Sequence, residues 1–430
     1  MIVTLFVALG VTLLMGIPVA FSIGMSTMLA LYVGGGVPLV IMAQKMVDGI
    51  NSFTMMALPL FILSGAIMVY GSTPRIMNLA NMLLRKKRWG LGNAGILGCA
   101  AFGTISGSGV ATTAAIGSVI APEMVKRGYG VGFTASVIAG AGTLGSIIPP
   151  SIMFVVYAQV ANVSIGDMFL AGFIPGIMTA LLLCLLNRYM VVKNGWCASD
   201  EHSAHYDNLS FKEKTDIVLA AIFPLLMPVI ILGGVLSGIA TPTEAASIAC
   251  VYALILSMFV YRAMTLKDFV KVLVDSALAS ATILLIISAA TPMAWLLTMQ
   301  NVTTLLAEWV MELSNNVVLV YGVILMILLV MGTFMETIAI ILLTVPIFLP
   351  ILLQYGVNPI AYGITMGLAL CIGAVTPPLA VCLFTACRIL KIRVEDTMPD
   401  VLYVCGTMLL ATALTAVFPI LSTFLPDILR

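Results

Sequence analysis

A short proline motif occurs twice in the chain, each time inside a long apolar stretch. One copy ends in Pro149-Pro150 and the other in Pro377-Pro378, and a glycine stands four residues before each pair. A Pro-Pro pair cannot continue a helix, because prolines lack amide donors and their rings clash with the preceding turn. In lipid, the backbone groups freed by such a break are tolerated only where they are buried in protein or line a polar cavity. Two matched breaks therefore predict the binding region of a transporter.

The composition points away from a soluble protein. Of the 430 residues, 61% are hydrophobic and 9% are charged, which predicts an all-α polytopic membrane protein. The net charge of +1 argues against a nucleic-acid partner. The sequence contains no Walker A, GxSxG, HExxH or CxxC motif, and its only histidines, His202 and His205, lie in a polar linker. We therefore expect no enzymatic activity and no cofactor or metal other than a coupling ion.

The two halves of the chain repeat the same order of segments. Pro122 and Pro350 are separated by 228 residues, and so are Pro149 and Pro377. This constant spacing predicts an internal repeat, with a first unit over 1–192, a cytoplasmic linker over 193–215 and a second unit over 216–430. The first unit is expected to hold scaffold helices (1–71), a hairpin (92–122), a broken helix (130–160) and a further helix (167–190). The second is expected to hold scaffold helices (216–298, with 266–277 as a separate amphipathic piece), a hairpin (317–353), a broken helix (360–387) and a further helix (402–425).

The first interrupted stretch, 92–122, lies between two basic clusters. Residues 85–88 precede it and residues 126–127 follow it, and cytoplasmic loops collect Lys and Arg. Both ends are therefore expected on the cytoplasmic side, so the stretch forms a re-entrant hairpin that turns near 106–109. The alternative, in which each arm crosses the membrane by itself, requires spans of about 13 apolar residues, which is short for a bilayer.

The second interrupted stretch, 317–353, is flanked by acidic and amide residues and by no basic one. Its two ends are expected on the outer side, so the second repeat is inverted relative to the first. This path leaves only Lys45 and Arg430, of 19 basic residues, on the outer side. The charge pattern thus predicts that both termini lie outside the cytoplasm.

The first hairpin tip and the first break are rich in small residues and oxygen atoms. Glycines let the backbone turn and expose carbonyl oxygens, and hydroxyl groups add neutral oxygen ligands, which hard cations prefer. Carbonyl ends of half-helices can hold Na⁺, whereas half-helix N-termini can face an anionic substrate. Small-residue helix packing is the alternative for each segment. The pairing with a break favours a binding role for Ser106, Gly107, Ser108, Thr112, Gly142, Thr143, Gly145 and Ser146.

Glu336 stands in the second predicted tip, near the middle of the membrane. An ionisable group at this depth is a candidate functional residue. It can ligate a cation, carry a proton or cap a helix through hydrogen bonds, and the sequence leaves these three roles open. With Thr337, Gly373 and Thr376 it forms a candidate second cation site.

Six short motifs carry a resemblance to a known family: Ala57–Phe61 (ALPLF), Ser106–Ser108 (SGS), Ile148–Ser151 (IPPS), Ala171–Gly176 (AGFIPG), Thr241–Glu244 (TPTE) and Thr376–Pro378 (TPP). Through them the chain resembles the large membrane subunit of tripartite ATP-independent periplasmic (TRAP) transporters. The resemblance implies a Na⁺-driven importer with an elevator mechanism in the bacterial inner membrane, with both termini periplasmic. It also implies two partners, a small four-helix membrane subunit and a periplasmic substrate-binding protein. The implied substrate bears a carboxylate, as do sialic acid, C4-dicarboxylates and sugar acids.

Carried over to this chain, the resemblance implies two Na⁺ sites. The first combines the 106–108 tip with the 142–145 break, and the second combines Gly332 and Thr333 with the 373–376 break. Many relatives have Asp in the second tip where this chain has Glu336, and some have an acidic residue shortly after Ser-Gly-Ser, where this chain is neutral. The residues expected to bind substrate or couple it to the ions are Thr112, Ser146, Pro149, Pro150, Glu336, Thr337, Pro377 and Pro378.

Two other functions fit the same inverted design. A stand-alone dicarboxylate carrier or proton antiporter works without either partner, and Glu336 then carries the proton. A passive channel conducts without a binding protein and does not concentrate its solute against a gradient. A requirement for the binding protein separates the tripartite importer from both alternatives.

Overall fold

The computed structural model describes residues 1–35, 37–84, 88–196, 210–313 and 316–429. Over these residues the chain forms helices and no β-strand. Eight of the described helices are long and apolar enough to span a membrane, or nine spans result if the bent pair Val131–Ile147 and Ile152–Ala161 counts as one. The prediction of an all-α polytopic membrane protein is confirmed.

The first half follows the predicted order of segments. Three helices and a kinked fourth precede a helical hairpin, and a broken helix and one long helix follow it. The bounds are α1 (Ile2–Leu14), α2 (Val19–Gly34), α3 (Val40–Ile50), α4 (Ala57–Leu84), α5 (Gly90–Ser106), α6 (Gly109–Lys126), α7 (Val131–Gly142), α8 (Leu144–Ile147), α9 (Ile152–Ala161) and α10 (Ile165–Asn194). We call α5 and α6 the first hairpin and α7 to α9 the first broken helix.

The second half repeats this order. Its bounds are α11 (Phe211–Leu236), α12 (Pro242–Leu254), α13 (Leu266–Met299), α14 (Val302–Leu313), α15 (Val317–Phe334), α16 (Thr337–Gln354), α17 (Pro359–Gly373), α18 (Val381–Leu390), α19 (Asp400–Val417) and α20 (Ile420–Leu429). We call α15 and α16 the second hairpin and α17 and α18 the second broken helix. The predicted linker, 193–215, overlaps the end of α10 and the start of α11, and its residues 197–209, which include both histidines, lie outside the described residues.

Two predicted boundaries are wrong. The further helix expected over 402–425 is two helices, since α19 ends at Val417 and α20 begins at Ile420 after Pro419, which lacks the amide donor of a continuing helix.

The segments 266–277 and 279–298, expected as separate pieces, form the single helix α13. Val272, Ser276 and Ser280 are buried at helical spacing, while Lys271 and Asp275 lie on the exposed face. A buried stripe therefore runs through the polar segment and continues into the apolar one, so no break is needed between them.

A left-handed residue marks the end of the scaffold in each half. Helix α4 bends at Tyr70 and Gly71, where Gly71 has a φ of +92°. The hydroxyl of Ser257 donates to the carbonyl oxygens of Ile67 (3.1 Å) and Tyr70 (3.0 Å) at this bend, so the disturbed backbone stays paired. In the second half Asn301, with a φ of +52°, separates α13 from α14. Each bend begins a short helical segment that precedes a hairpin.

Each hairpin packs its tip against the break of its own broken helix. A Cβ built on Gly103 would come within 2.7 Å of the Gly145 Cα, and a Cβ on Gly373 would come within 2.4 Å of the Gly332 carbonyl carbon. These glycines occupy equivalent places in the two repeats. The doubled sequence motif therefore corresponds to a doubled packing geometry, and the tips meet the breaks inside the protein.

Candidate functional site

A cavity of about 230 Å³ lies between the two hairpin tips and the two breaks. We call it the central cavity. The first two residues of four helices, α6, α9, α16 and α18, line it. The N-terminus of a helix carries a partial positive charge, so four such ends around one cavity favour an anion. Among the described residues, no Lys, Arg or His lines the central cavity.

Both halves supply polar groups to the central cavity. Ser108, Thr143 and Ser146 come from the first half, and Glu336 and Thr337 come from the second. Glu336 is the one acidic side chain in the lining among the described residues. The cavity therefore combines hydroxyl and carbonyl oxygens with a single carboxylate.

The first tip is the turn that joins α5 to α6. Gly107 has a φ of +62°, and a Cβ there would lie 2.9 Å from the carbonyl oxygen of Pro150, so glycine is the residue that fits. The hydroxyls of Ser106 and Thr112 share a hydrogen bond of 2.7 Å across the turn. Ser108 caps the N-terminus of α6 with its side chain. The tip is therefore held in one shape by its own hydrogen bonds.

Further hydrogen bonds join the first tip to the first break. The hydroxyl of Ser146 accepts from the Gly109 N–H at 2.9 Å, and the carbonyl oxygen of Gly107 accepts from the Ile152 N–H at 3.3 Å. The Ser151 hydroxyl donates to the Ser146 carbonyl oxygen at 2.5 Å. Backbone groups at the Pro-Pro break thus find partners in the hairpin and in the break itself, which a membrane interior requires.

The second tip is built around Glu336. Its carboxylate accepts hydrogen bonds from the N–H groups of Ile338 (3.0 Å) and Ala339 (3.3 Å) and so caps α16. The residue is also exposed to the central cavity. Capping, one of the three roles left open by the sequence, is therefore present, and a second carboxylate oxygen is left for other partners.

The second break contacts its tip through the backbone. The Leu379 N–H donates to the carbonyl oxygen of Thr333 at 2.9 Å, and the Cys382 N–H donates to that of Ala374 at 2.9 Å. The Thr376 hydroxyl donates to the Ile372 carbonyl oxygen at 2.8 Å and lies 3.4 Å from the Cys405 sulfur. Hydroxyl groups thus play a smaller part here than in the first half.

Comparison with known proteins identifies the family. The sequence model of the family described as "Tripartite ATP-independent periplasmic transporter, DctM component" matches residues 6–421. The chain belongs to this family. It is a DctM-type large membrane subunit, as the motifs predicted, and it is a transport protein rather than an enzyme.

Individual relatives of this DctM subunit are named for different solutes. It is 38% identical to the isethionate TRAP transporter permease protein DctMQ of Oleidesulfovibrio alaskensis, over 96% of this chain and 64% of that protein, so it spans less than two thirds of that relative's length. It is 34% identical to the C4-dicarboxylate TRAP transporter large permease protein DctM of Rhodobacter capsulatus, over 97% of each chain. It is 33% identical to the sialic acid TRAP transporter large permease protein SiaM of Vibrio cholerae, over 96% of this chain and 95% of that one.

A solved structure shares the fold of the DctM subunit. The crystal structure of the YdaH transporter of Alcanivorax borkumensis matches 89% of this chain and 88% of its own, with a TM-score of 0.56 and 15% identity. At this identity the match shows the fold alone.

The DctM subunit brings together most of the predicted site residues. Those that line the central cavity are Gly107, Ser108, Thr143, Ser146, Gly332, Glu336 and Thr337. Those that are buried and pack behind this lining are Ser106, Thr112, Gly142, Gly145 and Gly373. The two predicted tips and breaks therefore line one shared cavity.

The remaining six predicted residues do not line the central cavity. Thr333 and Thr376 use their hydroxyls within their own helices, and Pro149 and Pro150 are buried. Pro377 and Pro378 line a different cavity. Their roles in ion or substrate binding stay predictions.

Two cysteines in the lining were not predicted. Cys371 and Cys382 both contribute to the central cavity, and the Cys371 sulfur lies 3.8 Å from the carbonyl oxygen of Thr143. The side chains of both cysteines are buried. Their positions in the sequence could have indicated that they line the cavity, since each cysteine lies within four residues of Gly373 or Pro378 at the second break.

Proposed function

We propose that this chain imports a small carboxylate-bearing solute, driven by Na⁺, as part of a tripartite transporter of the bacterial inner membrane. The central cavity carries this proposal. It lies between two hairpin tips and two helix breaks, and it combines four helix N-termini with oxygen ligands and one carboxylate. Helix N-termini suit an anionic solute, while carbonyl and hydroxyl oxygens suit a hard cation.

The first proposed Na⁺ site lies at the first tip and break. The hydroxyls of Ser106 and Thr112 meet there, and a Cβ on Gly145 would lie 2.8 Å from the Ser108 carbonyl oxygen. Gly142 and Thr143 complete the break with further carbonyl groups. This cluster of neutral oxygens on close backbone segments is the kind of site that half-helix ends provide for Na⁺.

The second proposed Na⁺ site lies at the second tip and break. Gly332 and Gly373 pack backbone against backbone, so their carbonyl groups and those of Thr333 and Thr376 are the proposed ligands. Glu336 adds negative charge to the same side of the central cavity. Bound Na⁺ would offset that charge and favour entry of an anion, which couples the ion to the solute.

The names of the relatives and the residues of the lining both support a proposal for the class of solute. Relatives are named for C4-dicarboxylates, sialic acid, 2,3-diketo-L-gulonate and isethionate, all of which are organic anions. A lining that has four helix N-termini and, among the described residues, no basic side chain is consistent with recognition of such an anion by backbone dipoles and bound ions. We propose a carboxylate-bearing solute such as sialic acid, a C4-dicarboxylate or a sugar acid.

We further propose an elevator movement and two partners. The hairpins and broken helices form the moving body, and the helices before each hairpin form the scaffold. Ile283 of α13 is the scaffold residue that lines the central cavity, so a sliding movement changes few polar contacts. A small four-helix membrane subunit and a periplasmic binding protein that delivers the solute complete the system, and both termini of this chain lie in the periplasm.

Uptake into proteoliposomes that contain both membrane subunits tests the proposal. Substrate-loaded binding protein and an inward Na⁺ gradient should give accumulation of the solute. Uptake that persists with choline in place of Na⁺ would rule out Na⁺ coupling. Uptake without the binding protein would instead support a stand-alone carrier, and dissipation of a preformed solute gradient would support a channel.

A further inference from the structure

A second cavity, of about 510 Å³, adjoins the second break. It is lined by Pro377 and Pro378, by one face of α18 that ends in Arg388, and by the following turn with Arg393 and Glu395. We call it the arginine cavity. The chain passes from one cavity to the other within one peptide unit, since Pro378 lines the arginine cavity and Leu379 lines the central cavity.

The two arginines of this cavity have no acidic partner among the described residues. Both Arg388 and Arg393 are exposed, and neither takes part in a described ion pair. The carboxylate of the nearby Asp396 accepts a hydrogen bond from the Arg393 backbone N–H at 2.9 Å and so stabilises the turn. Among the described residues, Glu395 is the single acid in the lining, which therefore carries two positive charges and one negative charge.

The two cavities differ in the charges of their linings, and this difference suits an anion that passes from one cavity to the other. Among the described residues, the lining of the central cavity holds Glu336 and no basic side chain, whereas that of the arginine cavity holds two guanidinium groups and the Glu395 carboxylate. Guanidinium groups bind carboxylates and related oxyanions through paired N–H donors. An anion that moves past Leu379 would thus exchange helix N-termini for arginine side chains.

We propose that the arginine cavity is a second, transient binding site for the anionic group of the transported solute, on its path between the central cavity and the membrane surface near α18. This inference rests on the proposed function. It assigns Arg388 and Arg393 to selection and release of anions, and it assigns Pro377 and Pro378 to the wall that separates the two sites.

A general charge bias offers a simpler reason for basic residues at this place. Lys and Arg collect on the cytoplasmic side of membrane proteins without binding any solute. Lys391 provides a matched control, because it is exposed in the same turn and carries the same charge but does not line the arginine cavity. If only the charge bias explains the arginines, neutralising Lys391 should affect anion binding as much as neutralising the arginines does. If the arginines form a binding site, only their neutralisation should weaken anion binding.

The first measurement tests anion binding in the arginine cavity in the absence of transport. A Val394→Cys variant places a thiol in the cavity lining, and its labelling is followed by mass spectrometry of the peptide that contains residue 394. We compare an anionic and a cationic methanethiosulfonate reagent, with and without succinate, and use succinamide at equal ionic strength as the neutral probe. The anionic reagent should react preferentially, and succinate but not succinamide should slow it.

Adding Arg388→Gln and Arg393→Gln should reduce the preference for the anionic reagent about fivefold and remove protection by succinate, a size typical of two exposed charges. Adding Lys391→Gln should leave protection intact. Equal effects of the two changes, or no protection in the parent variant, would overturn the inference.

The second measurement is uptake in the complete three-component system. The double arginine variant should lower the maximal rate about fivefold, while Lys391→Gln should stay within about twofold of the parent. If the parent shows Na⁺-driven uptake and the double variant matches it, the arginine cavity is not on the path and the proposed function stands. If the parent shows no Na⁺-driven uptake, the proposed function fails whatever the labelling shows.

Discussion

The two hairpin tips share a backbone arrangement but differ in chemistry and in surroundings. The first tip is neutral: the 2.7 Å bond between the Ser106 and Thr112 hydroxyls closes its turn, and the Ser146 hydroxyl of the break accepts from the Gly109 N–H at 2.9 Å. The second tip carries Glu336 and meets its break through the backbone. Thirteen of the seventeen residues of α5 are buried, against four of the eighteen in α15.

This difference shows that a structural repeat need not be a functional duplicate. Close glycine packing, which both repeats share, places each tip at its break and so determines the geometry of the cavity. The carboxylate of Glu336 and the exposed hairpin occur only in the second repeat, so we expect that repeat to determine the response to ions and solute. We expect the first tip to act as a rigid oxygen frame and the second to act as the charged, more mobile wall.

The largest expected effect comes from the packing that both tips share. Gly373→Ala would place a methyl group 2.4 Å from the Gly332 carbonyl group, and this clash is with backbone that cannot move aside. Overpacking of this kind costs about 1–3 kcal/mol or more, so the melting temperature should fall and uptake should drop about tenfold or more. Gly322→Ala in α15 of the second hairpin, where nothing lies within 4 Å, is the control. Similar melting temperatures for the two variants would contradict the close packing of tip and break.

A smaller effect is expected from the charge of the second tip. Glu336→Ala removes both the charge and the cap of α16, and it should raise the Na⁺ concentration for half-maximal uptake about tenfold. Glu336→Gln keeps a capping oxygen and loses only the charge. If the charge matters, the Gln variant should resemble the Ala variant. A Gln variant with unchanged Na⁺ dependence would show that Glu336 is a helix cap and nothing more.

The hydroxyl frame of the first tip should show a moderate effect. Ser106→Ala removes one proposed oxygen ligand and the bond to Thr112, which corresponds to about 0.5–1.5 kcal/mol and a two- to tenfold weaker apparent Na⁺ affinity. Ser118→Ala is the matched control on the same hairpin, because its exposed hydroxyl bonds only to the carbonyl of Ala115. Equal Na⁺ dependence of the two variants would remove Ser106 from the ion site.

The smallest effect is expected at Thr376. Its hydroxyl is committed to the Ile372 carbonyl oxygen and lies next to Cys405, away from the central cavity. Thr376→Val should therefore change the apparent Na⁺ affinity less than about twofold, as Na⁺ titration of uptake would show. A larger change would mean that the hydroxyl turns toward the ion, and the two tips would then be more alike than the structure indicates.

The sequence by itself determined the class of protein and the positions of its main interruptions. The breaks at Pro149-Pro150 and Pro377-Pro378, the all-helical membrane architecture and the hairpins before each break all follow from local properties, namely missing amide donors and long apolar runs. The six motifs were also enough to find the family. Helix α13 shows the limit of local patterns. Its polar start, 266–277, has the pattern of a separate amphipathic piece, but in the structure one buried stripe runs through this segment and the apolar segment that follows.

Only the tertiary structure decided which residues share a cavity. At the second break, two neighbouring residues line different cavities: Pro378 lines the arginine cavity and Leu379 lines the central cavity. Cys371 and Cys382 enter the central lining, and Thr376 stays out of it. At an interrupted helix the direction of each side chain depends on how the two half-helices dock on the hairpin, and that docking is set by contacts between segments far apart in the chain.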